Sequence, residues 1–397
     1  MRSAIGIGAV VTGASYRALA VVRSLGRRGV PLRVVRSDEH AVAGASRYAG
    51  PRLAWPEAGG DEARVRYLLD LAERERLDGW VLIPTHDEEA ALVARHHDVL
   101  ARRYRLASSP WSLLQAAYDK RCMHQLGASL GLPQPWTTFP ADANDLGRAA
   151  GHFPVVVKPA YKEHANRLTV DKAWRADDPS ALHRRYEEAC TLVDSSILMV
   201  QELIPGDGSA QLSFAALCDD GNVLASLTAR LTRQFPMDFG RASSYVETIE
   251  DPGVERDARR LLAATRLTGI VEVEFKRDPR TGENRLLDVN PRAWGWQSLC
   301  ARAGVDFPYL LWRMASGAEV PAVQAVPGVR WVRMVTDVLA AGGELRAGRM
   351  SPGAYVRSLR RPLEFAVFAA DDPVPSLVGP LATARLVAGR LVEGRPV

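Results

Sequence analysis

Lysine is almost missing from this sequence. Lys120, Lys158, Lys162, Lys172 and Lys276 are the only five among 51 Lys+Arg residues, so 46 are arginine. Where lysine is this scarce, each one retained invites a role that arginine cannot fill. Cysteine is scarce too. Cys122, Cys190, Cys218 and Cys300 lie far apart, form no C-x-x-C pair and read as reduced core thiols. The eight histidines form no H-x-x-x-H pattern, which argues against a zinc site. No uninterrupted apolar run reaches the roughly 18 residues that a membrane-spanning helix needs. Hydrophobic residues at 47% and charged residues at 24% exclude intrinsic disorder, a collagen-like repeat and a disulfide-stapled miniature fold.

The net charge of +5 suggests a nucleic-acid binder only until the residues are separated. Acidic residues are interspersed almost everywhere, so the arginine excess is diffuse and forms no basic patch or tail. Neither nucleic acid nor membrane is expected as a partner. The stretch after Arg2 is short, is broken by Gly6, Gly8 and Gly13, and runs straight into Arg17. It reads as a first β-strand and not as a secretory leader, and the protein is expected in the cytoplasm.

Three hundred ninety-seven residues supply two or three domains. Residues 1–107 alternate strand and helix signals: strands over 7–12, 32–35 and 80–84, helices over 16–28 and 87–102. That alternation predicts a doubly wound parallel sheet covered on both faces. Gly6, Gly8 and Gly13 match neither G-x-G-x-x-G nor G-x-x-x-x-G-K, so Gly13 reads as a tight turn. The C-terminal edge of such a sheet, here with Thr85-His86-Asp87-Glu88, is where open α/β folds tend to bind ligands.

Residues 108–320 read as α+β. One helix is expected over 112–130, ended by Gly131 and Pro133-Gln134-Pro135. Strands follow over 154–158, 198–202, 210–218, 223–232, 269–277 and 285–289, with helices over 179–191 and 252–266. Asp219-Asp220-Gly221-Asn222 and residues 279–284 read as hairpin turns. Residues 321–397 form a C-terminal extension with a segment at 331–339, a short helix near 354–360 and a proline-rich tail.

The strongest chemical signal is the hairpin Val273-Glu274-Phe275-Lys276 with Leu287-Asp288-Val289-Asn290-Pro291-Arg292. Strand alternation puts Asp288 and Asn290 on one face, and likewise Glu272 and Glu274. Antiparallel pairing can then set Glu274 beside Asp288. Bare, such a cluster is costly. Hard oxygen ligands around Mg²⁺ relieve that cost, and Mg²⁺ commonly arrives with nucleotide phosphates. Two solvated carboxylates on a sheet face are the plain alternative.

With these residues in view the sequence resembles the ATP-grasp superfamily, and within it the carboxylate–amine ligases of the carbamoyl-phosphate-synthetase-like and D-aspartate-ligase-like branches. The signature reads Glu274 … Asp288-Val289-Asn290-Pro291-Arg292, and Ser46-Arg47-Tyr48, Asp119-Lys120, residues 154–159 and residues 200–206 follow in order. The resemblance implies that Lys120 and Lys158 hold the phosphates of ATP. It implies that Gln201, Glu202, Leu203 and Ile204 run along the adenine, with Asp207 near the ribose. Glu274, Asp288 and Asn290 would bind Mg²⁺ (Mn²⁺ being an acceptable substitute), and Arg292 would be catalytic.

Two departures stand out. Asp288 replaces the family's usual glutamate, shorter by one methylene. The 160–168 loop lacks the family's glycines and offers Lys162, His164, Asn166 and Arg167 in their place. Arg230, Arg233 and Arg241 flank a flexible-looking stretch; Arg230 and Arg233 point to opposite strand faces, so only one of them can reach a substrate or phosphate. The implied function is an ATP-dependent ligase joining a carboxylate to an amine through an acyl phosphate, with ADP and phosphate released. The alternatives are a bicarbonate or thiol acceptor, or a non-catalytic nucleotide-binding regulator. Small-molecule substrates are the expected partners, and a homodimer is compatible with this reading.

Overall fold

The computed structural model describes residues 6–36, 42–56, 58–161, 164, 166–235, 242–360 and 362–379. Lys162 and Arg241 lie outside the described residues. The first unit runs β1 (Ala9–Thr12), α1 (Tyr16–Gly26), β2 (Leu32–Arg36), β3 (Arg52–Ala54), α2 (Gly60–Arg74), β4 (Val81–Pro84), α3 (Asp87–Arg95), α4 (His97–Leu100) and β5 (Arg105–Leu106). Its five strands are all parallel, in the order β3-β2-β1-β4-β5. Val10 and Val11 are both fully buried, as a strand with helices on each face requires. The strand order reverses between β1 and β4, so the loops leaving those two strands lie side by side. A Cβ on Gly13 would sit 2.2 Å from Thr85 Oγ1 and 2.7 Å from His86 Nδ1. With φ at +109° as well, only glycine fits this crossing.

The second unit opens with α5 (Trp111–Tyr118) and α6 (Lys120–Ser129). One helix was expected here; the structure breaks it at Asp119, whose extended backbone and side chain cap α6 through the Arg121 N–H at 2.9 Å. An apolar period does not register an aspartate that caps in mid-run. The break makes Lys120 the first residue of α6. The helix expected over 87–102 is likewise split, at His96.

A four-stranded sheet follows, ordered β6-β9-β7-β8, from β6 (Thr137–Thr138), β7 (Val155–Pro159), α7 (Arg167–Asp171), β8 (Trp174–Ala176), α8 (Pro179–Cys190) and β9 (Leu198–Glu202). The largest sheet is built from β10 (Gln211–Asp219), β11 (Asn222–Phe235), β12 (Ala242–Ile249), α9 (Pro252–Thr265), β13 (Gly269–Arg277) and β14 (Asn284–Asn290). Both expected hairpins are present, β10 with β11 and β13 with β14.

The last segment carries α10 (Gln297–Arg302), α11 (Phe307–Ala315), β15 (Arg330–Val332), α12 (Met334–Arg346), α13 (Pro352–Ser358) and β16 (Leu363–Phe365). β15 and β16 extend the large sheet to seven strands, β14-β13-β10-β11-β12-β15-β16. Residues 330–332 and 363–365 are therefore part of that sheet, so the segment beyond 320 is built into the second unit; we propose a division at 107 only. Among the described residues no helix is long and apolar enough to cross a membrane.

The C-terminal segment also locks onto the first unit. Asp372 is buried and accepts from Arg23 Nε at 2.9 Å, Ser46 Oγ at 2.7 Å and the Arg47 N–H at 3.0 Å. Arg23 is buried with it, so removing the carboxylate strands a charge. Asp372→Ala should cost roughly 3–5 kcal/mol, the usual penalty for breaking a buried pair from one side. A lowered urea midpoint checks this; an unchanged midpoint would mean that water replaces the pairing.

Candidate functional site

The β13–β14 register sets the chemistry. Glu274 stands directly opposite Asp288, and Glu272 opposite Asn290, as strand alternation predicted. Three carboxylates thus crowd one patch, and each is handled differently. Asp288 receives both oxygens' worth of hydrogen bonds from Lys120 Nζ, at 2.7 and 2.8 Å. Glu274 accepts from the Asn290 amide at 2.9 Å and from Gln211 Nε2 at 3.2 Å. Glu272, the most buried, accepts from Ser213 Oγ at 2.7 Å and Trp296 Nε1 at 2.9 Å. Burial first, and then the Glu274 charge, push its carboxyl up to about 7.

Arg292 closes the patch from the far side. It lies just past the turn that Pro291 fixes, and its Nε donates to Asp87 Oδ1 at 2.6 Å. Its Nη2 donates to Asn290 Oδ1 at 3.0 Å. Asn290 therefore passes its oxygen to Arg292 and its NH₂ to Glu274, which fixes its orientation. Burial works against the Arg292 charge, but Asp87 outweighs it and holds the guanidinium above the ordinary arginine value. Asp87 opens α3 at the C-terminal edge of the parallel sheet. The edge singled out in the sequence is thus brought to the hairpin of the other unit.

Lys120 and Lys158 enclose the opposite wall. Burial tends to discharge Lys120, and Asp288 more than compensates. Its N–H also donates to the Ala160 carbonyl at 3.0 Å, tying α6 to the end of β7. Among the described residues Lys158 has no carboxylate partner of its own: Nζ donates to Gln201 Oε1 at 2.8 Å, and Gln201 passes its amide to Thr137 Oγ1 at 3.0 Å. Burial, and after it the Lys120 charge, bring Lys158 down to about 8. Between these walls runs a cleft lined by Lys120, Met123, His124, Met199, Gln201 and Leu286. Three of these side chains, Met123, Met199 and Leu286, are apolar.

Other expected residues have different duties. Glu202 accepts from the Trp136 N–H and pairs with Arg280 at 2.7 Å. The Glu202 and Leu203 N–H groups donate to the Trp136 and Pro154 carbonyls, so a base edge laid along this strand meets neither. Ile204 is buried. Asp207 is exposed and caps the next turn through the Ser209 N–H at 2.8 Å. Asn166 caps α7 and Arg167 pairs with Glu188, so neither is held ready for phosphate.

Arg233 is buried, pairs with Asp337 through Nε at 2.8 Å and Nη2 at 2.9 Å, and lies over the Tyr245 ring. The irregular register of β11 beside Arg233 turns it into this packing, and the structure does not bring it to the hairpin. Arg230 stands opposite Glu247 across the β11–β12 pair.

Several residues of the site carry no motif and were not singled out individually in the sequence: Arg17, Gln211, Ser213, Met199, Leu286 and Trp296. Only their neighbours in space mark them. Trp294 and Trp296 are fully enclosed and anchor the chain that leaves Arg292.

Comparison with known proteins bears on the fold. The model of a family described as "ATP-grasp in the biosynthetic pathway with Ter operon" matches residues 195–338. The chain is 27% identical over 200 residues to the carbamoyl phosphate synthase large chain of Thermus thermophilus, an alignment covering 48% of this chain and 18% of that one. It is 24% identical over 255 residues to the D-aspartate ligase of Enterococcus faecium, covering 58% of each. It thus spans less than two thirds of the length of either relative. The solved L-amino acid ligase from Bacillus licheniformis shares the fold, with a TM-score of 0.60 at 14% identity over 78% of this chain and 74% of that one. The family match and the shared fold converge: residues 195–338 match an ATP-grasp family, and the chain has the ATP-grasp fold.

Proposed function

We propose that the protein is an ATP-dependent ligase that joins a carboxylate to an amine and releases ADP and phosphate. One observation carries the reading: Glu274, Asp288 and Asn290 meet on one hairpin face between Lys120 on one side and Arg292 on the other. A D-aspartate ligase and an L-amino acid ligase among the similar proteins support the C–N bond as the product.

The donor set suits a nucleotide's metal. Two carboxylates and an amide oxygen are hard ligands, and Mg²⁺ is commonly held by one or two carboxylates together with phosphate oxygens. Among the described residues no group of three His, Cys, Asp or Glu side chains is placed to hold an ion alone. Glu274, Asp288 and Asn290 would hold Mg²⁺ or Mn²⁺, which supplies charge neutralisation at the phosphates.

The chain's own residues do the rest. Lys120 and Lys158 converge on the place for a polyphosphate, Lys120 already neutralising Asp288 and Lys158 held by a neutral amide. The substrate carboxylate attacks the γ-phosphorus, the bond to ADP breaks and an acyl phosphate forms. The amine then adds to the acyl carbon, loses a proton and expels phosphate. Such transfer depends on positioning and on stabilising developing charge more than on covalent help. Arg292 is placed for the second task, with Asp87 and Asn290 fixing the plane of its guanidinium. Met123, Met199 and Leu286 would cover the face of the base.

Amine-dependent ADP release, screened over amino acids and small carboxylic acids, tests the reaction. ADP release that requires bicarbonate or a thiol, or no release with any pair, would contradict it. Arg292→Ala should leave ADP affinity within about threefold and cut turnover about 10²-fold or more, as loss of a transition-state donor does. Arg292→Lys should restore little, because a point charge does not reproduce the fork. Near-normal turnover together with a lowered urea midpoint would make Arg292 a structural residue only.

Lys158 predicts a pH dependence. Its charge is half lost near pH 8 in the nucleotide-free protein, whereas a bound polyphosphate keeps it protonated. ADP affinity should therefore hold steady up to pH 8 and then weaken, by up to about tenfold per pH unit. Lys158→Ala should bind ADP more weakly at every pH, and without that fall. A wild-type affinity that stays flat to pH 9.5 would contradict the assignment.

A further inference from the structure

A second cavity, of about 180 Å³, lies apart from the cleft of the two lysines. Tyr16 and Val42 line it from the first unit, past the carboxyl ends of β1 and β2. Val332 and Phe365, the last residues of β15 and β16, line it from the large sheet. Both strand pairs are parallel, so each meets this space at its carboxyl end. Ligands of open α/β sheets gather at such ends.

The chemistry of the lining is one-sided. Apart from Tyr16, Arg333, Ser376 and Gly379 it is apolar, and the Ser376 hydroxyl already donates to the Val367 carbonyl at 3.3 Å. Met334, Val335 and Phe368 are each a third or more exposed, so apolar surface stands open to water there. An apolar cavity of about 150 Å³ stays dry and takes up benzene, so this space admits a ring or a branched alkyl chain. Arg333 is the one cation, and among the described residues no carboxylate lines the cavity. The Arg333 main-chain N–H is fixed on the Ser244 carbonyl at 2.9 Å, and its guanidinium lies 4.5 Å from the centre of the Tyr16 ring. Such a cation–π contact holds the group in place without using its N–H donors.

We propose that this cavity is a second binding site, for a small apolar carboxylate that the ligase reaction does not consume. The ring or branched chain fills the space between Val42, Val332 and Phe365, and the carboxylate meets the Arg333 fork. None of Glu274, Asp288, Arg292, Lys120 and Lys158 lines the cavity, so the bound acid is kept from the reacting groups. The link between cavity and hairpin is Tyr16, whose hydroxyl would lie 2.9 Å from a Cβ on Gly295, just past Arg292. A ligand packed on Tyr16 bears on that chain, which is a regulator's position. The unconsumed role rests on the ligase reading; the binding does not.

Calorimetric titration of the full chain without nucleotide tests the site. Benzoate and 4-methylpentanoate carry an apolar body and a charge, benzamide the body alone, and acetate the charge alone. Benzoate should bind with a Kd of about 1 mM or tighter, and about tenfold or more tightly than benzamide or acetate. Arg333→Gln should remove the preference over benzamide, and Arg333→Lys should keep part of it. Val335→Trp, at a partly exposed helix position that tolerates a larger ring, should weaken benzoate and benzamide alike by about tenfold or more. No binding of either acid at about 10 mM, a preference that survives Arg333→Gln, or indifference to Val335→Trp overturns the proposal. ADP release driven by either acid together with an amine makes that acid a substrate and overturns the unconsumed role. Absence of ADP release with every acid and amine contradicts the ligase reading instead, and the titrations still decide the cavity.

Discussion

Three carboxylates forced together by one strand register are the constraint on which the rest of the site depends. Pairing Glu274 with Asp288 and Glu272 with Asn290 follows from the hairpin and cannot be undone by side-chain rotation. Like charges at that spacing repel, and the surroundings are arranged to offset it. Lys120 comes from α6 to Asp288, amides from Asn290 and Gln211 reach Glu274, and Glu272 is pushed toward its protonated form between Ser213 and Trp296. Arg292 holds Asn290 and reaches across to Asp87. The contacts that tame the hairpin also connect it to the parallel sheet and to α6, so the same groups organise the fold and the chemistry.

The two cleft lysines show why arginine would not serve in their places. Lys158 pairs directly with no carboxylate among the described residues and is buried deep enough that its ammonium is held only weakly. Arginine keeps its charge at any physiological pH, and its wide fork would not sit on the single amide oxygen of Gln201. Lys120 shares its three donors between the two oxygens of one aspartate, as a compact point charge can. In a sequence with only five lysines, these two positions use the compact charge that lysine offers.

Much of this was legible in the sequence because it depends on short-range rules. The turn residues at 279–284 announced the hairpin, and strand alternation with antiparallel pairing allowed Glu274 to meet Asp288, the register found. The parallel first sheet followed from alternating apolar runs and helix signals. What stayed hidden depends on long-range contact. Nothing local says that Asp119 interrupts a helix to present Lys120, that Arg233 turns to Asp337, or that Glu202 serves Trp136 and Arg280. The strands β15 and β16 were missed as parts of the large sheet because each is only three residues long.

The central claim is that the hairpin face holds a metal–nucleotide complex. Equilibrium binding of ADP with and without Mg²⁺, to the wild-type protein and to Asp288→Asn, tests it most directly. Mg²⁺ should tighten ADP binding to the wild-type protein by about tenfold or more, through the oxygen donors of the hairpin. In Asp288→Asn most of that gain should vanish while Mg²⁺-free binding persists. ADP affinity that is indifferent to Mg²⁺, or a Mg²⁺ effect that is undiminished in Asp288→Asn, would contradict the account.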